Sequence, residues 1–251
     1  MFLNLLQYSH KAMPEEIHHN YKDHYIHHQK SPFAEVLSEI VFGMEDGMVS
    51  TLGSITGIAV GSGDHFIVLL AGSVIIAVES VSMGIGSYLS NRSQEEVDER
   101  KLFEEKTEIR EFPQEEKQEL LEMYKKDGWP ENLAREMAEA AAQNPELMLK
   151  EMAVRELEVL PSKRSLSFKG GIFMFFAYII GGLVPLFAYF FLPINSAIPI
   201  SMTVTLVGLF ALGMGTTKFT KQPLFKSGLR MLVIGGIALG VGLAAGLLIG
   251  E

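Results

Sequence analysis

Two long stretches without a charged residue constrain the fold of this chain more than any other feature. Residues 170–217 form an uncharged run of 48 residues, and residues 231–250 form a second one. A transmembrane helix needs only about 20 apolar residues, and no soluble core requires an uncharged stretch of this length. The chain is therefore predicted to be an integral membrane protein that contacts the lipid bilayer.

Hydropathy predicts an all-α membrane protein with five transmembrane helices. The first span is marginal by hydropathy because it begins with the acidic pair Glu45-Asp46. Its glycine, serine and threonine content suits a helix that packs against other helices rather than facing lipid. The predicted spans are 40–63, 66–90, 168–192, 198–217 and 231–250.

The basic residues near the spans predict the orientation. With five spans, every lysine and arginine falls on the cytoplasmic side, together with the N-terminus, and Glu251 falls outside. The first apolar stretch, residues 2–6, is too short for a cleavable signal peptide. Since no organelle-targeting signal is evident, a prokaryotic cell membrane is favoured, with a vacuolar membrane as the alternative.

Charge is concentrated between the second and third spans. Residues 92–164 hold 20 of the 30 acidic residues and 13 of the 21 basic ones. Glu, Lys, Leu, Met and Ala dominate this insert, and all are good helix formers, so a cytoplasmic helical bundle is predicted. Its helices are predicted to run from span two to about Glu111, from Pro113 to before Asp127-Gly128, from Trp129-Pro130 to Ala142, and from Asn144-Pro145 to about Val159. The predicted organisation is a His-rich cytoplasmic segment (1–34), spans one and two (35–91), a Glu-rich metal-binding bundle (92–165), and spans three to five (166–251).

Several classes of function are excluded. The absence of cysteine rules out disulfides, thiolate zinc sites and iron–sulfur ligation. The net charge of −9 argues against nucleic acid as a partner. No phosphate loop, nucleotide-binding glycine fingerprint or nucleophile elbow is present. The chain is therefore predicted to be no enzyme and to hold no prosthetic group.

Acidic residues inside the predicted spans need a function. Glu39 and Asp46 are seven residues apart and share one helix face, and Glu79 and Met83, four apart, share another. A carboxylate at bilayer depth costs several kcal/mol and usually marks an ion or proton route. An interfacial position at a helix end is the alternative for Glu39 and Glu45, and a poor one for Glu79.

The insert carries a second acidic set. Glu105 and Glu108 share one helix face, and Glu116 and Glu119 share another on the next helix. Carboxylate-rich helix pairs hold divalent ions such as Fe²⁺ and Mn²⁺. The spacing alone does not separate a metal site from a solvated acidic face.

Histidine is concentrated near the N-terminus, where it can bind transition metals loosely or belong to a disordered tail. No ligand geometry is defined there, so no site is predicted. Six of the seven histidines lie there: His10, His18, His19, His24, His27 and His28.

The order of these features resembles the vacuolar iron transporter family over residues 35–250. The two most specific motifs are the stretch from Glu45 to Thr51 in span one and the stretch from Ser82 to Leu89 in span two. Asn144-Pro145 in the insert and the stretch from Gly181 to Leu186 in span three complete the pattern.

The resemblance implies a homodimer that exports Fe²⁺ from the cytoplasm in exchange for protons, often accepting Mn²⁺ and related ions such as Co²⁺ and Zn²⁺. It implies an ion path between the protomers, lined by spans one and two. The residues that match the family's transport path are Asp46, Met83 and Glu39. The residues that match its metal ligands in the insert are Glu105, Glu108, Glu116, Glu119, Met152 and Glu156.

Two positions depart from the family pattern. Plant members carry a glutamate where this chain has Ile75, and Glu79, one helical turn later, is predicted to replace it on a face rotated by about 40°. The family's paired methionines in the insert are reduced to Met152 followed by Ala153. The resemblance, together with the acids inside the spans, therefore predicts a metal/proton antiporter with Asp46, Glu79, Met83 and Glu39 in its path. The alternative is a non-transporting membrane protein that buffers or senses metal, or binds a partner, through its acidic domain.

Overall fold

The computed structural model describes residues 36–159 and 166–249, and every regular element in these two ranges is a helix. The His-rich N-terminal tract lies outside the described residues. The described helices are α1 (Leu37–Ser62), α2 (His65–Glu111), α3 (Pro113–Lys126), α4 (Glu131–Ala142), α5 (Pro145–Arg155), α6 (Leu166–Phe191), α7 (Ile194–Thr220) and α8 (Leu224–Ile249).

Four of these helices, α2, α6, α7 and α8, are long and apolar enough to cross a bilayer. Large apolar side chains cover their outer surfaces, among them Phe66 and Val78 on α2, Phe187 on α6 and Leu248 on α8. Such exposure would be unfavourable in water over so large an area. The prediction of a helical membrane protein is therefore confirmed.

The first predicted span, α1, does not reach the same hydropathy, although its 26 residues extend about 39 Å. It packs mainly against α6 and α8. Glycines allow this close approach, because a Cβ atom added to Gly57 would lie 2.5 Å from the carbonyl oxygen of Gly242, and one added to Gly47 would overlap the backbone of Tyr178. Protein therefore covers much of α1, which explains its polar composition.

Helix α2 links the apolar helices to the insert without a break. Its 47 residues span about 70 Å, more than twice the hydrocarbon thickness of a bilayer. Asp64 begins the helix by accepting hydrogen bonds from the backbone amides of Phe66 (2.8 Å) and Ile67 (3.1 Å). The helix ends at Glu111, before Pro113, as predicted.

The end of α2 and the short helices α3, α4 and α5 form a bundle. Leu120, Tyr124 and Met148 lie in its buried core, together with Met152 and three alanines of α4. The predicted beginnings at Pro113 and after Asn144 are confirmed, and the Asn144 side chain accepts hydrogen bonds from the amides of Glu146 (3.1 Å) and Leu147 (3.2 Å).

The predicted end of the fourth insert helix at Val159 is wrong, because α5 ends at Arg155. Beyond it, Glu158 has a φ of +54°, in the left-handed region that ends helices. The amide of Val159 then bonds to the carbonyl of Ala153 at 2.8 Å. Glycine is the usual residue at a left-handed position, and this chain has a glutamate there. The sequence therefore contains no signal that α5 ends at Arg155.

The glycine contacts generate a prediction for the stability of the helix packing. We expect G242V to lower the thermal unfolding temperature in detergent by several degrees, since its side chain would overlap the backbone of Gly53 on α1. Overpacking of this kind costs about 1–3 kcal/mol. G240V, on the same helix, is the matched control, because a Cβ atom added to Gly240 has no described atom within 4 Å. Equal unfolding temperatures for the two variants would contradict this packing.

Candidate metal sites

Three helices bring carboxylates together in the insert. Glu105 lies on the last part of α2, Glu116 in the first turn of α3, and Glu156 directly after the last residue of α5. One carboxylate oxygen from each lies within 4.8 Å of the other two. Divalent cations bind oxygen ligands at about 2.0–2.6 Å, so a single ion between the three could contact all of them.

Two of these three carboxylates are removed from water. Glu105 is 2% exposed and Glu116 is 7% exposed. Glu105 Oε1 and Glu116 Oε2 are buried without a hydrogen-bond partner among the described residues. In the described part of the chain, no ion pair involves Glu105, Glu116 or Glu156. A buried carboxylate oxygen without a hydrogen-bond partner is costly, and a bound cation would satisfy both of these oxygens.

The electrostatics of the group point the same way. Burial, together with the charges of the nearby Glu156 and Glu116 carboxylates, raises the pKa of Glu105 to about 8. Burial, followed by the charge of Glu119, raises the pKa of both Glu116 and Glu156. The metal-free bundle therefore retains protons that a divalent cation would displace.

The remaining predicted ligands of the insert lie around this group. Glu108 and Glu119 are exposed one turn from Glu105 and Glu116, and their charges act on Glu116 and Glu156. Met152 is buried in the bundle core, one turn before Glu156. Their roles as ligands stay predictions.

A second acidic group lies on α1 and α2. Asp46 is half-buried on α1, Glu79 is exposed on the outer face of α2, and the two are close enough to interact electrostatically. Arg230 of α8 acts on Glu45, the acid next to Asp46 in sequence. Glu45 thus has a basic group nearby, whereas Asp46 faces a second acid.

Two cavities lie along α1, one on each side of Asp46 in sequence, and Asp46 itself lines neither. One, of about 550 Å³, is lined by Glu39 of α1, Met83 of α2 and a set of polar side chains toward the insert. The other, of about 710 Å³, lies between α1 and α8, begins at Val49 and continues past Ser54 to Ser62 at the other end of α1. The polar residues in the first cavity are Ser38, Ser82, Ser87, Ser90 and Asn91.

Tyr178 of α6 is a residue of this group that the sequence did not reveal. Its fully buried side chain lies 2.6 Å, oxygen to oxygen, from the Ser50 hydroxyl, and Asp46 and Glu79 both act on it electrostatically. Ser50 and Tyr178 are 128 residues apart in sequence. The sequence could have pointed to Tyr178 only as a polar side chain inside an uncharged span.

The fold and these carboxylate groups define a helical membrane protein with candidate sites for divalent metal ions. The VIT family model matches residues 37–247, and the chain belongs to this family.

Three relatives match this chain over most of their own length. Vacuolar iron transporter 1 of Eucalyptus grandis is 30% identical over 214 residues, covering 84% of this chain and 86% of the relative. Vacuolar iron transporter 2 of Oryza sativa subsp. japonica is 31% identical over 207 residues, covering 81% of this chain and 83% of the relative. The vacuolar iron transporter of Plasmodium berghei is 30% identical over 237 residues, covering 89% and 86%. The resemblance noted from the motifs is confirmed.

The raised pKa of Glu105 predicts how metal binding depends on pH. We expect Mn²⁺ binding by the full-length protein to tighten by up to about tenfold per pH unit between pH 6 and 8, because Glu105 must lose its proton before it binds a cation. Calorimetry in buffers of different ionisation enthalpy would measure both affinity and proton release. E105Q should bind more weakly and lose most of this dependence. Wild-type affinity that is constant over this range would contradict the prediction.

The raised pKa of Glu105 also predicts that the stability of the metal-free protein falls with rising pH, whereas metal binding tightens. The folded-state pKa of about 8 lies above the ordinary value of 4.5, so the folded state binds more protons between these two pH values. Stability should therefore fall as the pH rises through this window. E105Q, which stays neutral, should reduce the fall when unfolding is followed at pH 5 and pH 8.

Proposed function

We propose that this protein is a homodimeric Fe²⁺/H⁺ antiporter that exports the metal from the cytoplasm. The observation that carries the proposal is the pair Asp46 and Glu79, two interacting acids on helices α1 and α2, with a cavity extending along α1 on either side of Asp46. Membership in the VIT family and the names of the relatives support iron as the cargo.

The insert is proposed to capture the ion. Its three converging carboxylates favour oxygen-preferring divalent cations, and a cation would relieve their mutual repulsion. Glu105 and Glu79 lie on the same continuous helix, 26 residues or about 39 Å apart. The insert would therefore raise the ion concentration near the cavity that Glu39 and Met83 line.

The membrane site is proposed to exchange metal for protons. Asp46 and Glu79 would bind the cation when deprotonated and take up protons after it leaves. The Met83 thioether, one turn from Glu79, would favour Fe²⁺ over the harder ions Mg²⁺ and Ca²⁺. A flux assay with Fe²⁺, Mn²⁺, Co²⁺ and Zn²⁺ would define the ion preference.

A second copy of the chain is proposed to complete this path. Glu79 is exposed on the outer face of α2 among large apolar side chains such as Val78 and Val81. A carboxylate that faced lipid there would cost several kcal/mol. Pairing of two protomers across this face would enclose both copies of Glu79 in one polar path.

The proposed topology has five spans, with α1 as the first. Packing of α1 between α6 and α8 supports its membrane position despite its polar residues. The described basic residues near the spans then lie on the side of the insert, which favours a cytoplasmic insert. The prokaryotic cell membrane stays a prediction beside the vacuolar alternative. These basic residues are Arg92, Lys169, Lys218, Lys221, Lys226 and Arg230.

A metal-buffering or metal-sensing membrane protein is the second candidate. The carboxylate group of the insert favours it, because this group could bind metal without transport. It does not explain the interacting acids Asp46 and Glu79.

Substitution of the span acid tests transport directly. We expect D46N to abolish proton-driven Fe²⁺ uptake into reconstituted vesicles, because the amide cannot exchange a metal ion for a proton. E45Q changes the adjacent acid, which has Arg230 nearby, and should transport at close to the wild-type rate. Wild-type transport by D46N would remove the membrane site from the mechanism. Absence of transport by the wild type would favour the buffering candidate.

Substitution of two insert acids tests metal capture. We expect E105Q/E116Q to weaken Mn²⁺ binding by the full-length protein by at least about tenfold, since removal of ligands leaves one of the three converging carboxylates. Transport at saturating metal should be retained. The matched control is E136Q/E139Q, which changes two exposed acids of α4. Equal Mn²⁺ affinity of the two double variants would contradict the capture site and indicate that the acidic face of the insert is only a solvated surface.

A further inference from the structure

Glu156 differs from the other two carboxylates of the insert because it lies at the end of a helix. Glu105 lies within the long helix α2, and Glu116 lies in α3, which follows α2 after a single residue. Glu156 instead follows the last residue of the 11-residue helix α5, and its side chain is exposed. A metal site that uses oxygens from all three residues therefore depends on contacts that hold the end of α5 in place.

Arg155, the last residue of α5, makes three contacts there. Its guanidinium carbon lies 4.6 Å from the ring centre of Tyr124, Nη1 donates to the Asp127 carboxylate, and Nε donates to Glu151 Oε2 at 3.2 Å. Tyr124 belongs to α3, and Asp127 follows its last residue. The Arg155 side chain thus fastens the end of α5 to the end of α3.

Tyr124 reinforces the same junction. Its hydroxyl donates to Glu151 Oε2 at 3.1 Å, so Glu151 accepts hydrogen bonds from both Tyr124 and Arg155. The tyrosine is buried in the bundle core, and the Arg155 side chain is only 26% exposed. Partial shielding from water and a planar fork make such contacts stronger than an ordinary surface ion pair.

The charge of Arg155 is directed away from the metal site. It is engaged by Asp127 and Glu151, whereas the charges that act on Glu156 are those of Glu119 and Glu108. Because Arg155 is paired with Asp127 and Glu151, its main effect on Glu156 is expected to act through the position of the helix end.

We propose that Arg155 is a positioning residue of the metal site in the insert. By fastening the end of α5 to Tyr124 and Asp127, it keeps the Glu156 carboxylate within reach of Glu105 and Glu116. The inference rests on the proposed role of the insert in metal capture, and it adds a residue outside the ligand set.

A double-mutant cycle tests this role. Mn²⁺ is titrated by calorimetry into full-length protein carrying D46N, so that the insert dominates the signal. We expect R155A to weaken binding by about tenfold, the usual range for a residue that orients a metal ligand being 10–100-fold. E156Q should weaken it similarly. The variant with both substitutions should bind no more weakly than E156Q alone, because R155A acts only through Glu156.

Two further variants separate positioning from general stability. R135A removes an arginine of α4 that pairs with Glu131 at 3.0 Å, and it should bind as the wild type does. R155K keeps the charge but loses the fork, and it should bind with an affinity between those of wild type and R155A. R155K also keeps the test decisive if R155A fails to fold.

Two outcomes would overturn the inference. One is equal affinity for R155A and R135A. The other is additive losses for R155A and E156Q, which would mean that Arg155 acts on the bundle rather than through Glu156. Failure of the proposed capture site looks different, because E105Q/E116Q would then bind as tightly as the wild type.

Discussion

Negative charge without a basic partner is the constraint on which this structure depends. In the insert, Glu105 and Glu116 are buried beside Glu156, and the loss of water, followed by the repulsion between the carboxylates, raises the pKa of Glu105 to about 8. In the apolar part of the protein, Asp46 of α1 lies close to Glu79 of α2. Glu79 is exposed on the outer, mostly apolar face of its helix. Both arrangements cost free energy in the metal-free protein, and a divalent cation or bound protons would recover it.

Close helix packing makes the membrane group possible. Glycines on α1 let it approach the backbones of α6 and α8, so that a helix with several polar side chains is largely covered by protein. The same packing brings Tyr178 of α6 against Ser50, one turn from Asp46. Gly242 and Gly246 contact α1 in this way, whereas Gly236 and Gly240 have no described atom within 4 Å of an added Cβ.

Local signals explain why much of the insert could be predicted. Proline at the start of α3 and α5, the Asn144 cap and the Asp127-Gly128 stop set helix limits through backbone geometry that neighbouring residues determine. The end of α5 could not be predicted, because no glycine or proline follows it and the first left-handed residue beyond it is a glutamate, Glu158. Of the insert residues named from the family pattern, Glu105, Glu116 and Glu156 converge. Glu108 and Glu119 each follow one of these glutamates by three residues, but they lie outside the converging group.

The sequence by itself determined that the chain is a helical membrane protein, that its charge is gathered in one insert, and which acids lie in apolar surroundings. These properties follow from hydrophobicity and periodicity, which act over a few residues. Tertiary structure alone decided which carboxylates meet, that Tyr178 lies beside Ser50, and that Arg155 fastens the end of α5 to α3. Such contacts join residues far apart in the chain, so they depend on how whole helices pack, and no local pattern encodes that.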